Sequence, residues 1–189
     1  MKPKALLPYS LLVALTAGVV TLITWQMDGF LVHGATPLTY VTFCSWAGYF
    51  LFGAAPRPAV HAFASMAAGI VAAIIMFVLS IKFGFTPWWA VPVAVFIVVI
   101  GMMWLEKVPP VSNVAAVFLG TGLYFSLSAA GVFANQFTAK QYFLVGLTEL
   151  VYIAIGFVAG WVTIQLAGLS QNLAGAPEPT DAAAQKETV

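Results

Sequence analysis

The stretch that decides the fold is residues 59–81, AVHAFASMAAGIVAAIIMFVLSI. It contains no Asp, Glu, Lys or Arg, and its one histidine stands near the start. At about 1.5 Å of rise per residue, about 20 apolar residues cover the roughly 30 Å of a bilayer's hydrocarbon core. The run is too long for a strand and too apolar for a helix with one face in water. It reads as a membrane-spanning helix.

Working outward, charges and Pro/Gly clusters bound five similar runs. The expected spans are 5–26, 37–55, 59–81, 87–105, 111–132 and 141–166. The punctuation is Asp28-Gly29, Pro56-Arg57-Pro58, Lys82 with Gly84, Glu106-Lys107 with Pro109-Pro110, and a polar loop through Asn135, Gln136 and Lys140. The first run begins after Lys2 and Lys4, like a signal peptide, but it continues to Trp25, longer than a signal core. The second run is the shortest, which suits a tilted or partly re-entrant segment. Composition agrees: 62% of residues are hydrophobic and 7% charged, where a soluble domain has roughly 25% charged. The fold expected is all-α: a polytopic membrane domain over 1–169 with six transmembrane helices, followed by a polar cytoplasmic tail over 170–189. That tail, through Pro177, Pro179 and Asp181, has the composition of a disordered segment.

Basic residues in short loops set orientation. One side would hold Lys2, Lys4, Arg57 and Lys107, the other Lys82 and Lys140, so both termini are expected in the cytoplasm. The net charge of +1 gives no reason to expect nucleic acid as a partner. A single cysteine, Cys44, excludes an internal disulfide and a multi-cysteine metal site. No metal and no cofactor are expected. Catalytic signatures such as H-E-x-x-H, G-x-S-x-G and the Walker loop are missing, which argues against an enzyme.

The second and fifth runs share a pattern. Shifted by 75 positions, Phe43 falls on Phe118, Tyr49 on Tyr124, Phe50 on Phe125, and Ala54-Ala55 on Ala129-Ala130. The shared form is F-x5-Y-F-x3-A-A, and Ser45 falls on Gly120. A repeat of three helices inverts its second copy, giving a 3+3 inverted repeat of the kind that recurs in transporters and channels. The alternative is chance likeness between apolar helices built from few residue types.

Helical spacing then puts Phe43, Trp46 and Phe50 on one face, and Phe118, Thr121 and Phe125 on another. If those faces meet, they form aromatic walls of a passage, with Gly122 giving room and Tyr49 and Tyr124 offering hydroxyls. The plainer alternative is packing against neighbouring helices or lipid. Glu149 is the outstanding polar residue, because an ionisable group inside a membrane run is costly and usually faces the protein interior or a water path. It is either a proton-carrying or cation-attracting carboxylate or a structural, hydrogen-bonded group. His33, five residues after Asp28, is a weaker pH-sensing candidate. His61 reads as interfacial, and Trp25, Trp88, Trp89 and Trp104 as an aromatic belt. Gly156 with Gly160, and Ala64, Ala68 and Ala72, are close-approach faces for internal packing or for a homo-oligomer.

At Thr42-Phe43-Cys44-Ser45-Trp46-Ala47-Gly48-Tyr49-Phe50 the chain resembles the YcdZ-like family, small six-helix bacterial inner-membrane proteins of unknown function. The resemblance implies a bacterial inner membrane and supplies no activity or sites. The leading expectation is a channel or facilitator for a small neutral polar solute of the urea, ammonia or short-amide class. The alternatives are a proton-coupled small-solute transporter using Glu149, and a non-transporting accessory subunit. An enzyme acting on a lipid has the least support. Beyond the solute, the expected partner is the lipid bilayer.

Overall fold

The computed structural model describes residues 3–27, 38–131 and 138–173. Six α-helices run in order: α1 Pro3–Met27, α2 Thr39–Leu51, α3 Pro56–Lys82, α4 Ala90–Trp104, α5 Val114–Ala129 and α6 Ala139–Leu173. No strand occurs among the described residues. Two short 3-10 turns, Leu105–Lys107 and Pro109–Val111, carry the chain from α4 to α5. Among the described residues four helices are long and apolar enough to cross a membrane, with α5 a shorter apolar one. The protein is an all-α, polytopic membrane protein.

Helix limits follow local chemistry. The α3 helix starts with Pro56 at its first position, where a missing N–H costs nothing. The α5 helix starts at Asn113, whose side chain accepts from the Ala116 N–H at 3.0 Å. Between α2 and α3 the chain turns through Gly53 at φ 112° and Ala54 at φ 50°, a tight reversal in the left-handed region. The last helix runs to Leu173, past the expected start of the polar tail. Residues 174–189 lie outside the described residues, as do Asp28 and His33.

Successive helices run up and down. One end of the bundle carries Lys82 and Lys140, the other Arg57 and Lys107. At the centre α3 crosses α6. Against α6 lie α2 and α1, and against α3 lie α5 and α4. Gly69, Gly120 and Gly156 permit the closest crossings, and on Gly120 of α5 a Cβ would run into the Met66 carbonyl of α3. A Cβ on Gly156 of α6 would run into the Thr42 carbonyl and stand 2.9 Å from the Trp46 nitrogen of α2. A Cβ on Gly69 of α3 would run into the Val117 carbonyl and stand 2.9 Å from the Thr121 nitrogen of α5. Gly160 lies under the Tyr49 ring in the same way. So Gly156 and Gly160 serve packing within the chain, and Ala72 packs with Met76, Met102 and Val117 where α3 meets α4 and α5. The main core joins α2, α3, α5 and α6 through Val41, Tyr49, Met66, Ile70, Tyr124, Val145 and Ile153.

Candidate functional site

Among the described residues Glu149 is the one fully buried ionisable acid, 0% exposed. It sits on α6 seven residues before Gly156, about 10 Å along the axis toward the Lys82 end. Neither carboxyl oxygen has a hydrogen-bond partner in the structure. The phenols of Tyr40 at the start of α2 and Tyr124 on α5 lie within electrostatic reach of the carboxyl. The Tyr40 hydroxyl is also enclosed without a hydrogen-bond partner. No basic residue pairs with Glu149 among the described residues.

Hydroxyl groups surround this level of the bundle. Thr24 of α1 and Thr39 of α2 share a hydrogen bond at 2.9 Å. Tyr152, one turn beyond Glu149, donates to the Thr24 carbonyl at 3.2 Å. The Thr42 hydroxyl donates to the Tyr152 carbonyl at 3.3 Å. The Tyr124 hydroxyl donates to the Tyr142 carbonyl at 3.0 Å, and the rings of Tyr124 and Tyr142 both pack on Phe77. Four helices therefore converge here, and Thr24, Tyr40, Tyr142 and Tyr152 join a site that sequence reading reduced to Glu149 and Tyr124. No periodicity marks these four: each lies on a different turn or helix, and only the crossing of α1, α2 and α6 brings them together.

The aromatic faces expected to form a passage do not face one another. Phe43, Phe50 and Phe118 are 42%, 41% and 43% exposed on the outer surface of the bundle. Phe43 stacks on Trp46, whose Nε1 donates to the Thr163 hydroxyl of α6 at 3.1 Å. The Thr121 hydroxyl donates to the Gly69 carbonyl of α3 at 3.0 Å, and Phe125 packs on Phe77, also of α3. The α2 set thus belongs to α6 and the α5 set to α3. Gly122 is exposed, and a side chain there would meet open space. Tyr49 is buried against Gly160 and Phe157, with its hydroxyl unpartnered. The described residues contain no cluster of metal-ligating side chains.

Fold and site together define a polytopic helical membrane protein with one buried, unpaired carboxyl among the described residues. Residues 10–168 match the model of the family described as "Protein of unknown function (DUF1097)". The chain belongs to that family. No curated protein and no solved structure matches it.

Proposed function

We propose that this protein is a small-solute transporter that carries protons on Glu149 and is built as two inverted three-helix units. The single observation behind the proton role is the carboxyl itself: fully buried, with both oxygens unpartnered, among phenols and threonines contributed by four helices. A structural acid would be held by donors; a transport acid must be free to gain and lose a proton or a ligand. The aromatic-walled passage for a neutral solute has weaker support, because three of its six side chains face outward.

The inverted repeat is supported by contacts. The offset of 75 carries Thr42 to Val117 and Trp46 to Thr121. Thr42 and Trp46 are the partners of Gly156, and Val117 and Thr121 are the partners of Gly69. The neighbours of each element agree too: α2 and α1 on α6, α5 and α4 on α3. In that register α3 and α6 are related by an offset of 87, from Gly69 to Gly156, and Glu149 corresponds to Ala62. Only one unit carries the acid. On the basic-residue bias and the family resemblance, the Arg57 end faces the cytoplasm of a bacterial inner membrane.

The test uses purified protein in liposomes loaded with a pH-sensitive dye. A panel of neutral, anionic and cationic solutes, including urea and short amides, is added outside. One solute class is expected to drive proton movement, and Glu149→Gln to abolish it while remaining monodisperse. Absence of solute-dependent proton movement with the unaltered protein would sink this reading and favour an accessory subunit that co-purifies with another membrane protein.

A further inference from the structure

Tyr49 on α2 and Tyr124 on α5 stand at matched positions of the repeat, and both rings are buried. Their hydroxyls differ. Tyr124 donates to the Tyr142 carbonyl at 3.0 Å, tying α5 to the first turns of α6 at the Lys82 end. The Tyr49 hydroxyl is enclosed and has no hydrogen-bond partner. A buried hydroxyl left unmet costs free energy, so a second arrangement that satisfies it is favoured at that point of the molecule.

The surroundings of the two phenols differ in the same sense. Beside Tyr49, toward the Arg57 end, an apolar groove of about 590 Å³ lies on the outer surface of the bundle, walled by Val60, Phe63, Phe157 and Trp161. At the other end Tyr142, Gly146 and Glu149 follow one another at i, i+4 and i+7, a single stripe along α6. That stripe is covered. A Cβ on Gly146 would stand 3.0 Å from Ile70 and 3.8 Å from the Tyr124 ring. The latch at the Tyr124 end is made and lies over the stripe that leads to Glu149, while the Tyr49 hydroxyl at the other end has no partner.

We propose that Tyr124 and Tyr49 are alternating latches of one transport cycle, closing opposite ends of the bundle in turn. This rests on the transporter reading above. In the present conformation Tyr124 is shut on the Tyr142 carbonyl and blocks the stripe that leads to Glu149. In the opposite conformation Tyr124 lets go, and Tyr49 shuts on the carbonyl of Ala55. Ala55 is the counterpart of Tyr142 under the 87-residue offset, and it caps the start of α3. Its carbonyl already accepts from the Ala59 N–H at 3.0 Å and keeps a second lone pair for the phenol. Exchange of the two latches bares Glu149 to the Lys82 end and closes the Arg57 end.

The experiment reads how accessible Glu149 is. The full chain in liposomes is treated with a water-soluble carbodiimide, and modification of the Glu149 peptide is measured by mass spectrometry. Tyr124→Phe removes the latch that holds the present state, so modification should rise about fivefold. Tyr49→Phe removes the latch of the opposite state, so modification should fall about fivefold. Each is the population shift that follows from losing one hydrogen bond in one of two states. Phenylalanine keeps the ring packing in both variants, and mere loosening would raise modification in both. Changes of the same sign, or no change in either, overturn the latch pair. If the labelling fails while solute still drives protons through Glu149, only the latches fall. If the unaltered protein moves no protons in the dye assay, the transporter reading falls with them.

Discussion

The indole Nε1 of Trp46 donates to the Thr163 hydroxyl at 3.1 Å, a bond between α2 and α6 with both residues buried. Thr163 in turn donates to the Ala159 carbonyl one turn back, so the indole is joined to the α6 backbone through one hydroxyl. Below it the two helices touch at Gly156 and Gly160. This seam fixes where α2 sits, and α2 brings Tyr40 to Glu149.

Removing that bond should loosen the seam. Trp46→Phe and Thr163→Val should each cost about 1 kcal/mol, the usual net worth of a buried hydrogen bond. The double variant should cost less than the sum, because both singles break the same contact. Thermal unfolding of the purified protein in detergent measures all three. Fully additive losses would mean that the two side chains act independently.

The glycine crossings give a sharper contrast. Gly156→Ala and Gly69→Ala each set a methyl against a backbone carbonyl, so the helices must separate, at a cost of about 1–3 kcal/mol. Gly122→Ala meets nothing and removes a flexible residue from a helix; it should leave stability unchanged or slightly raised. Melting temperatures of the three variants decide this. Equal effects at all three sites would contradict the packing described.

Glu149 should show opposed effects on stability and function. Glu149→Leu replaces an unpartnered buried carboxyl with an apolar side chain of similar size, and should stabilise the fold by about 1–2 kcal/mol. The same variant should lose solute-driven proton movement. A large loss of stability would show that the carboxyl is held by bonds and is structural.

Phe43→Ala, Phe50→Ala and Phe118→Ala should each change stability by less than about 1 kcal/mol, since each ring is little more than half buried. Transport rate should be unchanged. A marked change in rate or solute selectivity would restore the aromatic-walled passage.

How far the sequence disclosed this molecule depends on the residue. The six helices were legible because apolar runs of this length have few other uses. The likeness of α2 and α5 was legible because Tyr49, Phe50, Tyr124 and Phe125 are distinctive. The proposed correspondence of α3 and α6 was not, because Gly69 and Gly156 disappear among many small residues. Glu149 was conspicuous as an acid in an apolar run. Tyr40, Thr24 and Thr39 were not, since hydroxyl groups on three helices acquire a common meaning only when the helices cross. The aromatic faces misled for a physical reason. Lipid accepts a phenylalanine as readily as a protein interior does, so a stripe such as Phe43 and Phe50 names a face without naming its neighbour.

The α2 and α5 helices are also short. With 13 and 16 residues, α2 and α5 measure about 20 and 24 Å, against about 30 Å of hydrocarbon. Each has an outward side, with Phe43 and Phe50 on one and Phe118 on the other. A bilayer meeting these sides has to thin around them, at a fraction of a kcal/mol for each ångström of mismatch. Membrane thickness thereby becomes a variable of the protein's conformational energy. Long-chain lipids work against the bundle where α2 and α5 face them, and short-chain lipids fit it.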